Sequence, residues 1–269
     1  MGIKKAIRLI VNAAGYDIIA RPPIDASPPV DPPPPLDSFP PNIYNQDSLL
    51  TSHNHDFMND SKFMTAYQRG VGACEEAYNI HWRVHVALWV ASQAKTMEGD
   101  FVECGVNRGF FTSCIMSYIG WNSLDKRFFL FDTFRGIDEK YLSDEEKNKG
   151  RLEAHKGMYS ECYDKVVENF SEFNGVHIVR GSVPDTLSLP ILDDLERVCY
   201  LSIDMNCAAP EIAAAEFFWN KMVKGAWVLL DDYAYVGYDE QKKAHDAFAR
   251  SKGIDILSLP TGQGLYRKP

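Results

Sequence analysis

The sequence predicts an α/β fold: a seven-stranded, mostly parallel sheet with helices on both faces, ending in an antiparallel hairpin and preceded by a helical and proline-rich extension. Three observations carry this. From Gly99 onward, short apolar runs alternate with helical patterns, the signature of a doubly wound sheet. Two of the runs, YLSID and WVLLDD, stop abruptly at Asp204 and at Asp231 and Asp232. Continuous apolar runs are strands buried on both faces, and ligands of open α/β sheets bind beyond their carboxyl ends. Only Thr261, Gly262 and Gln263 separate the last two runs, too few for a crossover helix, so those strands pair as a hairpin.

The elements follow in order. Residues 1–20 place Ile3, Ile7, Ile10 and Val11 on one side of an amphipathic helix, which packs on its own protein or touches a membrane surface. Arg8 interrupts the apolar stretch after Lys4 and Lys5, and no small-residue cleavage site follows, so no signal peptide is expected. Nothing is long enough to span a bilayer. Six cysteines without a CxxC pair read as reduced, buried thiols, and the expected location is cytoplasmic. Residues 21–41 hold ten of the 15 prolines. Proline fixes φ and lacks the amide donor, so this is an extended arm outside any sheet interior.

From about Asp60 to Lys95 aromatic and aliphatic residues recur at helical spacing. His81 and His85 share a helix face there. A zinc-protease motif needs Glu at position 82, where Trp82 stands, so the pair reads as substrate-facing or capping. Strands are expected at 100–104, 127–132, 176–180, 198–204, 226–232, 255–260 and 264–268, with helices at 110–119, about 160–172, 210–223 and 239–251. Seven strands ending in a hairpin favour a class I methyltransferase (Rossmann-like) sheet over a dinucleotide-binding dehydrogenase. The domain division is then 1–59 for the amphipathic segment and arm, and 60–269 for the methyltransferase domain, with 60–98 as a helical lid. The net charge of -9 and pI of about 5.3 lack the basic footprint of a nucleic-acid binder.

The chemistry lies at the strand ends. The first strand runs into VECGVNRGFFTS, which has Gly105 and Gly109 but no GxGxxG. Glycines at such a turn let backbone approach a ligand, and the helix start offers free amides. Glu103 suits a cationic ligand such as S-adenosylmethionine, and would repel the pyrophosphate of a nicotinamide cofactor. Asp132, ending FLFD, stands where an acid chelates ribose hydroxyls; the bland alternative is a turn residue. Gly181 and Ser182 are placed to line an adenine edge. Asp204, Asp231 and Asp232 would repel one another unless something positive joined them. Mg²⁺, an oxygen-seeking octahedral cation, is the expected answer. It would hold a hydroxyl in line with a methyl donor.

The segments DFVECGVNRG, LFDTFRGI, LSIDMN and AWVLLDDY, in this order, closely resemble the macrocin O-methyltransferase (TylF) family from about residue 65 to the C-terminus. The resemblance implies a Mg²⁺-dependent, S-adenosylmethionine-dependent enzyme that methylates sugar hydroxyls. It implies Asp204, Asp231 and Asp232 as metal ligands. It places the cofactor on Glu103, Gly105, Asn107, Gly109, Asp132, Thr133, Gly181 and Ser182, with Asp204 at the border. Many members carry a D-G-D-x-Y pattern where this chain has Asp204-Met205-Asn206-Cys207-Ala208. Asp204 is the first choice for general base, with His81, His85 and His245 as competitors. The expected acceptor is a hydroxyl of a sugar, glycan or glycosylated metabolite, and a homo-oligomer is allowed for. A nicotinamide-dependent oxidoreductase and a non-catalytic scaffold of the same fold stay open as alternatives.

Overall fold

Apolar runs with side chains alternating between two faces can be buried only by covering both, and this chain does so. The structure is a computed structural model describing residues 43–269. The segment 1–20 and the arm 21–41 lie outside the described residues. Ile43–Pro269 form one compact unit. Residues 43–59, grouped with the arm from sequence, therefore belong with the sheet. They carry a hairpin, β1 (Tyr44–Gln46) and β2 (Leu49–Thr51), that the sequence reading does not contain. Its two turn residues, Asp47 and Ser48, both have positive φ, 51° and 60°. This is the geometry of a two-residue type I′ turn.

Two helices follow, α1 (Ser61–Cys74) and α2 (His81–Ala94). Asp60 caps α1 by accepting from the Phe63 N–H at 2.8 Å. Then come β3 (Asp100–Cys104), α3 (Phe110–Ile119) and β4 (Phe128–Asp132). The long connection after β4 contains two short helices, α4 (Asp144–Asn148) and α5 (Arg151–Ala154). The remaining elements are α6 (Tyr163–Phe170), β5 (Val176–Arg180), β6 (Val198–Ile203), α7 (Ala208–Trp219), β7 (Met222–Leu230), α8 (Asp239–Lys252), β8 (Leu257–Ser258) and β9 (Gly264–Arg267).

The seven strands β3–β9 form one sheet in the order β5-β4-β3-β6-β7-β9-β8. The first five are parallel; β9 runs antiparallel to β7, and β8 to β9. The expected terminal hairpin is present. Phe101, Phe128, Leu130 and Tyr200 face one way, toward α1, α2, α3 and α6. Val102, Cys104, Phe129, Phe131, Leu201 and Ile203 face the other way, toward α7 and α8. Burying each such side chain contributes roughly 1.5–3 kcal/mol. All six cysteines are buried and unpaired.

Candidate active site

Strand order reverses beside β3, since β4 and β5 lie on one side of it and β6 and β7 on the other. This is the switch point where an open α/β sheet leaves a crevice. Register aligns what stands there. Cys104 pairs with Ile203 and Ile203 with Leu230, so Gly105, Asp204 and Asp231 follow side by side. The Gly105 N–H donates to Phe131 O, the Asp204 N–H to Cys104 O and the Asp231 N–H to Ile203 O, at 2.8, 2.8 and 3.0 Å. A cavity of about 640 Å³ opens above these ends. Glu103, Gly105, Asn107, Asp132, Thr133, Gly181, Ser182, Asp204 and Asp231 line it; Gly109 and Asp232 do not.

The turn after β3 is shaped by close approach. Gly105 has φ +92°, and a Cβ there would stand 1.7 Å from the Asp204 carbonyl oxygen, so only glycine fits. Gly109 has φ +85°, and its missing Cβ leaves room for the Phe170 ring. Its role is packing at the start of α3. Asp132 clamps the turn: Oδ2 accepts from the Val106 and Asn107 N–H groups, both at 2.7 Å, and Oδ1 from the Phe134 N–H at 2.6 Å. Thr133 Oγ1 lies 3.4 Å from Oδ1 but donates its one proton to Gly136 O at 2.5 Å. A carboxylate offers about four acceptor sites, and these bonds use most of them. Asp132 thus makes the bonds of a turn residue while lining the cavity. Ser182 Oγ donates to Asp138 Oδ2 at 2.6 Å.

Glu103 is buried at the cavity wall, and its Oε2 accepts from Thr112 Oγ1. Burial pushes its carboxyl up to about 8; the Thr112 hydrogen bond pulls it down, and Asp231 and Asp132 raise it further. The group is an acid near neutrality that ionises readily beside a cation.

At the other end, the positive charge joining Asp231 and Asp232 is Arg83, on α2. Its Nη2 donates to Asp231 Oδ2 at 2.5 Å and to Asp232 Oδ1 at 3.3 Å. Its Nε stands 3.7 Å from Asp47 Oδ2 in the β1–β2 turn. Gln263 Nε2 donates to Asp231 Oδ1 at 3.0 Å, so both Asp231 carboxylate oxygens are engaged by protein donors. Burial alone would lower the Arg83 pKa; Asp231, Asp232, Asp204 and Asp47 outweigh it and raise it. Burial, then repulsion from Asp231, pushes Asp232 up to about 7. Asp204 is raised well above the carboxylate range, by burial and then by Asp231 and Asp232. Among the described residues, no three His, Cys, Asp or Glu side chains are grouped so as to hold one metal ion. As arranged, then, the aspartates do not fit the expected Mg²⁺ site.

The histidines named as competing bases stand elsewhere, and none lines the cavity. His81 stacks on Tyr67 at 4.0 Å and contacts Gln46 Oε1 through Nδ1 at 2.7 Å. His85 stacks on Phe57 at 4.1 Å. Burial lowers the pKa of both. His245 is fully buried on α8 and pairs with Glu211 at 3.0 Å. The histidine near Asp204 is His155, which the sequence reading did not single out. Its Nε2 lies 3.1 Å from Asn206 Oδ1 and 3.0 Å from Tyr238 Oη, and Asn206 Nδ2 donates to Asp204 Oδ1 at 3.3 Å. Asn206 has φ 59°, a conformation Asn tolerates better than most residues. It occupies the departure from the D-G-D-x-Y pattern. Arg83 was also missed, although one signal was present. It lies at helical spacing with buried Ala87, Val90 and Ala94, and a charge on a buried stripe must be paired.

The macrocin O-methyltransferase (TylF) family model matches residues 85–258. Among solved structures, the O-methyltransferase NovP superposes with a TM-score of 0.60 at 17% identity, over 69% of this chain and 79% of that one. The calicheamicin methyltransferase CalS11 superposes with a TM-score of 0.55 at 15% identity, over 81% of this chain and 98% of that one. No curated protein matches the sequence. At these identities the structural neighbours speak to the fold, and the family match speaks to the chemistry, setting aside the nicotinamide oxidoreductase reading. With a class I methyltransferase sheet and a family match across most of its length, the chain belongs to the macrocin O-methyltransferase (TylF) family.

Proposed function

We propose that this protein transfers a methyl group from S-adenosylmethionine to a hydroxyl of a sugar or glycosylated metabolite, with Asp204 as general base. The observation that carries the reading is that Glu103 and Asp204 line one cavity, at the ends of adjacent strands. When bound, S-adenosylmethionine supplies an electrophilic methyl on a sulfonium. Glu103 faces the cationic donor, and the Gly105 turn lets backbone approach it closely. Asn107, Thr133, Gly181 and Ser182 line the same cavity and complete the donor site in this reading. Asp132 acts chiefly by holding the turn.

Asp204 faces the acceptor end. Burial and then Asp231 and Asp232 raise its pKa, so it acts from its ionised form, which is more basic than an exposed aspartate. It takes the hydroxyl proton as the oxygen–methyl bond forms and the sulfur–methyl bond breaks, its electron pair returning to sulfur. Asn206, held between His155, Tyr238 and Asp204, fixes the Asp204 rotamer. No step passes through Mg²⁺. NovP and CalS11 carry methyltransferase names, and CalS11 is also described as a TDP-rhamnose 3′-O-methyltransferase. The sugar acceptor proposed here is in keeping with the last of these descriptions.

Calorimetric titration with S-adenosylhomocysteine tests the donor half, and transfer of labelled methyl to a panel of glycosides tests the acceptor half. Saturable binding and a methylated sugar are expected. Absence of S-adenosylhomocysteine binding to folded protein would overturn the reading.

A further inference from the structure

We infer that Arg83 is the resident cation of the carboxylate cluster, standing where the family resemblance calls for a divalent metal, so that this protein does not take up Mg²⁺ there. Four groups from three parts of the chain build the arginine site. Asp231 and Asp232 follow β7, Asp47 sits in the β1–β2 turn, and Gln263 precedes β9. The guanidinium reaches both β7 aspartates through Nη2, at 2.5 and 3.3 Å, and the Asp231 carbonyl oxygen at 3.4 Å. Its side chain is only 12% exposed. Tyr235 covers it, with the guanidinium 5.2 Å from the ring centre, and donates its hydroxyl to Asp47 Oδ1 at 3.3 Å. Arg83, Asp47 and Gln263 all fall outside the segment 85–258 that matches the family model.

Arginine stays protonated in proteins, so it is a fixed charge rather than a switchable one. Mg²⁺ demands near-octahedral oxygen ligands at about 2.0–2.1 Å. Each Asp231 oxygen already accepts from a protein donor, Oδ2 from Arg83 and Oδ1 from Gln263, so an ion there would share them with a fixed buried cation, and displacing Arg83 would leave a buried, unpaired guanidinium. A guanidinium has no open coordination position, so it pairs with and orients Asp231 and Asp232 without ligating the acceptor hydroxyl. Asp204, which accepts no hydrogen bond from Arg83, stays free to act as base. As a statement about catalysis this rests on the methyl-transfer reading; as a statement about metal it does not.

Titrating the full-length protein with Mn²⁺ alone, followed by electron paramagnetic resonance, tests it. The wild type should show no stoichiometric site that Mg²⁺ competes for. Arg83→Met, which removes the charge at similar length, should uncover the aspartates and gain one. The glycoside methylation rate of the wild type should be unchanged in EDTA. A stoichiometric, Mg²⁺-displaceable Mn²⁺ site in the wild type would overturn the inference whether or not the variant folds. So would a folded Arg83→Met that gains no site. A parallel titration with S-adenosylhomocysteine separates the two readings: loss of that binding counts against the proposed function, while the Mn²⁺ result alone decides the role of Arg83.

Discussion

At Glu103, burial pushes the carboxyl up to about 8, so near neutrality most of the protein carries a proton there. A cationic donor beside it favours the ionised form, and binding then releases the proton. The sign follows from linkage. Below about 8 the free protein must lose a proton to bind, so affinity for S-adenosylmethionine rises with pH; above that value it levels off. One linked proton gives about a tenfold gain per pH unit on the rising limb. Calorimetry across this range checks it, and Glu103→Gln should flatten the profile. A wild-type affinity independent of pH would remove Glu103 from the donor site. The position of Glu103 was legible in the sequence because an apolar strand ended beside glycine. Its protonation was not, since that depends on how completely α3 and the neighbouring strands exclude water. Asp132 is similar: its place was readable, but its three short backbone bonds were not, because they arise from the fold of two separate turns.

The elements that were easiest to read are those with one dominant period. The helix at 110–119 and the strands at 100–104 and 176–180 have the expected limits, because glycines and polar turns bound them. The strand expected at 226 begins at Met222, since the chain enters it through an irregularity opposite Val198 and Tyr200. The β1–β2 hairpin was hidden by strands of three residues and a turn, Asp47-Ser48, without glycine. The connection from about 138 to 159 was also unread. Its charged composition resembles a surface loop, yet Tyr141, Met158 and Tyr159 from it line the cavity. Glu146 anchors this connection: Oε2 accepts from the Ser143 N–H and Oε1 from the Ala208 N–H at the start of α7, both at 2.8 Å. Glu146→Ala leaves both donors without their charged partner, an expected loss of about 2–4 kcal/mol. Thermal unfolding should show a fall in Tm of roughly 2–4 °C per kcal/mol for a domain of this size. An unchanged Tm would mean the connection is not held through Glu146.

Across the whole molecule, the sheet brings two kinds of chemistry to one place: a glycine turn with a buried acid on β3, and a carboxylate cluster after β6 and β7. The three aspartates were visible in the sequence as abrupt ends of apolar runs, and the parallel register gathers them as expected. Their counter-charge was not visible. It depends on Arg83 from α2, with support from Asp47 and Gln263, and no local pattern joins positions so far apart. Among the described residues, no helix is long and apolar enough to cross a membrane. The central claim is that the donor and acceptor share this cavity, with Asp204 between them as base. The direct measurement is the rate of labelled methyl transfer from S-adenosylmethionine to a glycoside acceptor by Asp204→Asn, at donor concentrations shown by titration to saturate it. The variant should bind S-adenosylhomocysteine like the wild type and transfer methyl about 10²–10⁴-fold more slowly, the range expected for losing a general base. Transfer by Asp204→Asn at the wild-type rate would contradict the account.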